Sequence, residues 1–376
     1  MPRVLLAPDK FKGTLTAAEV AGHLSDGLRS VLPEVEVAVV PVADGGDGTL
    51  AAAVAAGFER VPVRASGPTG MPCDSAYGAR GTEAVVELAE VSGLAQLPGG
   101  RSAPLAASSR GTGELIAAAL DAGARRVVVA IGGSACTDGG AGLLQALGAV
   151  VSRSDGSAVR PGGEGLLEAT RLDLDGLHPG LAGAELVVAC DVDNPLTGGR
   201  GAAAVYGPQK GAGPQDVELL DSALTRWADL VARATGTDRR DEPGTGAAGG
   251  VGFGLLAVLG ATTRPGADLV FELTGLSDAL AGADLVVTGE GSLDAQTLHG
   301  KAPAAVAALA HAKGLPVVAV AGQVTLTAGE LSTAGVQAAY ALVDEASSRH
   351  EALTSPGPLL ARIGARIARE HLGGGR

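Results

Sequence analysis

Short β-branched runs that end in a glycine-studded polar loop and then give way to an apolar helix recur along this chain. That alternation restricts the fold more than any other feature. In Ala283–Lys301 the run Leu285–Thr288 stops at Gly289, a loop dense in carboxylates and hydroxyls follows, and Pro303 opens an alanine-rich helix that ends at Gly314. The N-terminus repeats the order. Arg3–Ala7 and Val35–Val42 read as strands, separated by a helix with a capping box (Thr16, Glu19) and an apolar face of Val20, Leu24, Leu28 and Val31. A second step runs from Pro41 through Asp44, Asp47 and Thr49 into Leu50–Ala56. Near the C-terminus come Val317–Ala321, Gln337–Val343 and a closing helix from about Pro358. This pattern predicts an α/β fold with a Rossmann-like, doubly wound parallel sheet formed by the two termini, residues 1–65 and 281–376.

The middle, residues 66–280, reads as an inserted second domain of mixed α/β type. Asp74–Tyr77 and Ala84–Leu88 form an expected antiparallel pair about Arg80–Thr82; Ala149–Arg153 and Ala158–Val159 form another about Ser154–Ser157. Arg126–Ile131 and Leu186–Cys190 are single strands that feed loops. Trp227 falls in the amphipathic helix Val217–Ala234 as a core residue, and Pro243–Thr263 is a glycine-rich loop entering a buried helix.

Aromatic residues make up only 2% of the chain, so the cores must be built from Ala, Val and Leu, with 59 glycines allowing close approach. The net charge of −13, without a Lys/Arg-rich run, excludes a nucleic-acid binder and argues against an anionic membrane surface. Cys73, Cys136 and Cys190 are odd in number and widely spaced, which fits a cytoplasmic protein and excludes a disulfide framework or structural zinc site. The opening run Met1-Pro-Arg-Val-Leu-Leu-Ala-Pro-Asp9 reads as too short and too quickly polar for a signal peptide, so none is expected.

Six polar loops carry the candidate chemistry. Lys10 and Lys12 precede the capped helix, where cations make an anion site or are simply exposed. Asp44 and Asp47 stand three residues apart among glycines, suited to Mg²⁺, to a substrate hydroxyl or to an Asp-rich turn. Ser108, Ser109 and Arg110 open an alanine-rich helix, and Gly132, Gly133 and Ser134 form a strand-to-helix loop fit for phosphate. Asp191, with Asn194 nearby, sits just past a strand, where a general base belongs; Lys210 adds a cation downstream. The last loop holds Glu290, Ser292, Asp294, Gln296 and Lys301, with His299 as a hydrogen-bonding group. Together these residues handle anions and hydroxyls and keep carboxylates in reserve, as phosphoryl transfer to an alcohol requires. There is no P-loop and no protein-kinase signature. Gly244-Thr-Gly246-Ala-Ala-Gly249 follows a charged stretch instead of a strand, which argues against dinucleotide binding.

These loops resemble those of the bacterial class I glycerate kinases. The resemblance rests on APDKFKGTLTAAEVA at Ala7–Ala21, PVADGGDGT at Pro41–Thr49, SSRGTGELI at Ser108–Ile116 and IGGSACTDGGAG at Ile131–Gly142. It continues through ACDVDNPL at Ala189–Leu196, GPQKGA at Gly207–Ala212, GAAGG at Gly246–Gly250 and TGEGSLDAQTLHGK at Thr288–Lys301. The resemblance implies ATP-dependent, Mg²⁺-assisted phosphorylation of D-glycerate, chiefly to 2-phosphoglycerate, in a cleft between two α/β domains. A 3-phosphoglycerate product or another small hydroxy acid is the alternative; an oxidoreductase or a non-catalytic acid-binding protein ranks lower. Resemblance and chemistry together assign catalytic roles to Asp191, Lys12 and Lys301. Lys10, Ser108, Ser109, Arg110, Gly132, Gly133, Ser134, Asn194, Lys210, Ser292 and Gln296 are expected to hold substrate or phosphate. Asp44, Asp47, Glu290 and Asp294 are expected around Mg²⁺. The expected partners are D-glycerate and ATP, and a homodimer is compatible with the chain.

Overall fold

The computed structural model describes residues 1–298 and 301–373, so His299 lies outside the described residues. The chain divides into two units. Unit 1 comprises Met1–Asp44, Ala51–Ala56 and Ala267–Arg376; unit 2 comprises Gly45–Leu50 and Gly57–Gly266.

The strands, in chain order, are β1 (Arg3–Pro8), β2 (Glu36–Val39), β3 (Glu59–Ser66), β4 (Pro72–Arg80), β5 (Glu83–Glu87), β6 (Arg126–Ala130) and β7 (Val150–Ser152). They continue as β8 (Arg171–Asp173), β9 (Glu185–Ala189), β10 (Thr262–Arg264), β11 (Leu285–Leu293), β12 (Val317–Val324) and β13 (Ala338–Ala341).

Unit 1 holds a five-stranded, wholly parallel sheet in the order β13-β12-β11-β1-β2. The chain turns outward in both directions from the β1/β11 pair, and this reversal of strand order is where open α/β sheets place ligands. One face is covered by the helices Ala17–Val31 and Pro356–Ile367, through Val20, Leu24, Leu28, Leu360 and Ile363. The first of these helices begins with the expected capping box: Thr16 Oγ1 accepts from Glu19 N–H, and Thr16 N–H donates to the Glu19 carboxylate at 2.8 Å. The other face takes the helix Ala302–Ala312 through Ala302, Val306, Ala307 and Ala310.

β11 departs from the sequence expectation. It does not end at Gly289; it runs on to Leu293, with Glu290 opposite Ala321 and Ser292 opposite Gln323 on β12. The glycine there admits a neighbour: a Cβ at Gly289 would lie 1.9 Å from the Val320 carbonyl oxygen. Glu290 and Ser292 therefore stand on a rigid strand end instead of in a loop.

Unit 2 is built on a mixed six-stranded sheet, β10-β9-β6-β5-β4-β3, with β3–β5 antiparallel and β5, β6, β9 and β10 parallel. β3 pairs with β4 along its whole length, which draws the start of the main segment back to Gly57 from the anticipated 66. At the far end, Ala267, Phe271, Leu276 and Leu280 pack with Leu5 and Val286, so residues from Ala267 onward belong to unit 1. β7 also differs from expectation. The tight turn forms, with Arg153 N–H donating to the Ser157 carbonyl, but Ala158 makes only an isolated bridge to Ser152. The real partner of β7 is β8, where Ser152 pairs with Arg171 and Val150 with Asp173. Trp227 is fully buried in the helix Pro214–Thr235 and donates its indole N–H to the Gly139 carbonyl at 2.9 Å.

Candidate functional site

In unit 1 the polar residues gather at the carboxyl ends of β1 and β11. Asp9 N–H donates to the Gly289 carbonyl at 2.8 Å, and Gly291 comes close to the backbone of the exposed Lys12. Asp9, which the sequence reading passed over, is partly buried. Burial, reinforced by the charges of Asp44 and Glu290, pushes its carboxyl up to about 7. Asp44 and Lys10 are half-buried beside it. Glu290 is buried at 8% exposure; burial raises its pKa, and a 2.7 Å hydrogen bond from Thr297 Oγ1 and a 3.3 Å ion pair with Lys301 Nζ offset part of that rise.

Lys301 is the N-cap residue of the helix Ala302–Ala312, so its ammonium and that helix start share one end of the strand. Ser292 Oγ accepts from Gln323 Nε2 at 3.2 Å and donates to Asp294 at 3.3 Å. Asp294 also accepts from Gln296 N–H at 2.9 Å, which makes it the brace of an Asx turn that leaves the Gln296 side chain exposed. Gln323 is a second residue the sequence reading missed.

In unit 2 three loops converge. The Gly45-Gly46-Asp47 turn lies on the backbone of the other two: a Cβ at Gly132 would stand 2.6 Å from Gly46 Cα, and one at Gly45 would stand 2.7 Å from Gly266 Cα and 2.8 Å from Ala189 Cβ. Asp191, just past β9 and exposed, accepts from Gly266 N–H at 2.9 Å. The structure thus brings Asp47, Gly132, Gly133 and Asp191 to one end of this sheet. Glu87, at the end of β5 and only 2% exposed, anchors the turn by accepting from Gly48 N–H at 3.1 Å and Leu50 N–H at 2.9 Å. Burial pushes the Glu87 carboxyl up to about 7.

Ser108 and Ser109 are buried and turned inward. With the Ser109 N–H and the amides of Gly140 and Gly142, they donate to the carboxylate of Asp138, an interior residue that sequence reasoning did not single out. Arg110 remains half-exposed and pairs with Glu114 at 3.0 Å. Asn194 spends its amide on the loop itself, donating to the Arg200 carbonyl and accepting from Tyr206 Oη at 2.6 Å. Lys210 is enclosed at 2% exposure, donating to Ser134 Oγ at 2.8 Å and the Cys136 carbonyl at 2.5 Å. The Gly246–Gly250 run packs backbone to backbone, with Gly246 against Pro195 and Gly249 against Cys136. It therefore ties the loop after β6 to the loop after β9. Burial is the common property of Glu87, Asp138 and Lys210, and periodicity alone does not reveal it.

Among the described residues, no group of three or more His, Cys, Asp or Glu is placed to hold a metal ion by itself. Mg²⁺ ordinarily takes one or two carboxylates and completes its shell with water and phosphate oxygens, and the hard oxygen donors Asp9, Asp44 and Glu290 fit that mode. No helix among the described residues is long and apolar enough to cross a membrane, and the three cysteines are free thiols.

The model of the glycerate kinase family matches residues 4–372. The chain is 42% identical over 369 residues to the glycerate kinase of Bacillus subtilis (strain 168), covering 97% of each chain. It is 39% identical over 371 residues to the glycerate 2-kinase of Escherichia coli (strain K12), again over 97% of both. A crystal structure from Salmonella typhimurium LT2, provisionally named glycerate kinase 2, superposes with a TM-score of 0.85 at 41% identity, covering 99% of each chain. Its sequence, its fold and its loops agree: this chain belongs to the glycerate kinase family.

Proposed function

We propose that this enzyme transfers the terminal phosphoryl group of ATP to a hydroxyl of D-glycerate in the cytoplasm, forming 2-phosphoglycerate and ADP. The strongest support is family membership across nearly the whole chain, including a relative named glycerate 2-kinase. Each unit also collects its polar loops at the carboxyl ends of parallel strands.

Asp191 accepts the proton of the attacking hydroxyl, with the Gly266 N–H holding one carboxylate oxygen and so fixing its direction. Lys12, Arg110 and Lys301 neutralise carboxylate and phosphate charge, while Ser134 and the Gly132–Gly133 backbone offer donors to an anion. Asp9, Asp44 and Glu290 are the carboxylates from which Mg²⁺ would take one or two ligands, with Asp47 and Asp294 as further candidates; when bound, the ion would offset the charge building on the transferred phosphoryl.

A coupled assay tests the reading by following ADP release with D-glycerate and then adding enolase without phosphoglycerate mutase. Enolase turnover identifies the 2-phospho product, and no ADP release with any small hydroxy acid overturns the proposal. Asp191→Asn is expected to lower kcat by about 10²-fold or more with folding intact. A loss of about tenfold would make Asp191 a positioning group, and unchanged turnover would remove it from the chemistry.

A further inference from the structure

Lys210 raises a question that phosphate binding does not answer. Its ammonium is buried at 2% exposure, and its two hydrogen bonds go to a serine hydroxyl and a backbone carbonyl instead of to a carboxylate. Burial disfavours that charge, and the nearby buried carboxylate of Asp138 offsets part of the cost without accepting a hydrogen bond from it. Both partners, Ser134 and Cys136, lie in the loop that follows β6. That loop is otherwise fixed by its backbone: Leu94 N–H donates to the Gly133 carbonyl, Ala135 N–H donates to the Ser92 carbonyl, and Gly132 lies against Gly46.

A serine hydroxyl has one proton to give. Because Ser134 Oγ accepts from Lys210, its own proton is directed away from the ammonium and can be given to another acceptor. Gly132 is half-buried against Gly46, Gly133 is exposed, and Ser134 is 6% exposed, so the loop's outer edge reaches solvent at Gly133. We infer that Lys210 is a positioning residue acting through Ser134. Held beneath the Gly132–Cys136 loop, it fixes the Ser134 hydroxyl as a donor and lends the loop positive potential. The loop thereby becomes an anion-holding subsite for the glycerate carboxylate or a nucleotide phosphate. This rests on the kinase reading above and replaces direct phosphate contact by Lys210 with an indirect role.

The test is a double-mutant cycle on the full-length enzyme with Lys210→Met, Ser134→Ala and the pair, reading KM for D-glycerate and for ATP separately from kcat. Direct titration with D-glycerate and with ADP gives affinities that do not depend on turnover. Each single variant is expected to weaken the same ligand about tenfold or more, and the double variant should be no worse than the poorer single. The ligand affected identifies the anion: D-glycerate for its carboxylate, ATP and ADP for a phosphate. Lys210→Arg, which keeps the charge but changes its shape, should weaken that same ligand less than Lys210→Met.

A purely structural lysine would instead lower the thermal midpoint and kcat for every substrate, with losses that multiply those of Ser134→Ala. That multiplication, or unchanged affinity for both ligands in a well-folded Ser134→Ala, overturns the inference. If Lys210→Met fails to fold, Ser134→Ala alone still decides it through the selective loss. An active wild type with unmoved affinities rejects only this inference, whereas a wild type that turns over no hydroxy acid rejects the kinase reading.

Discussion

Gly132 offers the sharpest perturbation, because its neighbour is backbone and cannot rotate away. A Cβ added there would stand 2.6 Å from Gly46 Cα, whereas two carbons rest at about 3.5–4.0 Å. Gly132→Ala must therefore separate the loop after β6 from the turn carrying Asp47 by about 1 Å. Misplacement of that size costs catalysis about 10²-fold, equivalent to about 2.7 kcal/mol of transition-state stabilisation. The overpacking itself should remove about 1–3 kcal/mol of stability, so the variant remains folded. ADP release gives the rate, and Trp227, the single tryptophan and fully buried, reports unfolding of unit 2 by its fluorescence. Gly81→Ala is the control. It has φ of +60° at the β4–β5 turn with nothing within 4 Å of an added Cβ, so it should cost stability through backbone strain and leave the rate alone. A Gly132→Ala enzyme within twofold of wild-type kcat/KM would refute the claim that contact between these two loops sets the catalytic geometry.

Two further expectations concern stability. The Glu87 carboxyl, raised from 4.5 to about 7, keeps an extra proton in the folded state between those values, so its contribution is full below about pH 4.5 and is lost as pH rises through 7. The shift corresponds to about 3 kcal/mol at most. Thermal midpoints measured from pH 5 to 8 should fall less steeply in Glu87→Gln than in wild type, and parallel slopes would contradict the assignment. Thr16→Ala breaks the capping box and should cost unit 1 about 1 kcal/mol in denaturant titrations without altering turnover. No loss would mean that tertiary packing alone holds that helix end.

Much of this was legible in the sequence where local rules and tertiary structure agree. The helix after Thr16 begins at its capping box, and Trp227 packs in the core as its helical spacing implies. Local pattern failed where a distant partner decided the outcome. Glu290, Gly291 and Ser292 look like a loop because they are polar and glycine-rich, yet β12 pairs with them and extends the strand. β7 has a good turn after it but finds a better partner in β8. Site residues followed the same division. Exposed charges such as Lys12 announce themselves, whereas Glu87 and Asp138 act only by accepting backbone and hydroxyl donors in the interior. Asn194 shows the converse: a polar side chain beside the candidate loops whose hydrogen bonds hold the scaffold.

The pairing of β1 with β11 also bears on how the chain is made. Thr288 Oγ1 bonds the Ala7 carbonyl across 281 residues of sequence, and β1 occupies an interior position of its sheet. At about 5–20 residues per second on the ribosome, β1 waits roughly 15–60 s for that neighbour to emerge. Residues Gly57–Gly266, with a sheet and core of their own, are all made before β11 begins to emerge, the last of them by about 1–4 s at that rate. Nascent chains halted shortly after Gly266 should therefore show a protease-resistant middle and a digestible N-terminus. The exposed edge of β1 during that interval is the point at which a chaperone or a misplaced strand would compete with native assembly.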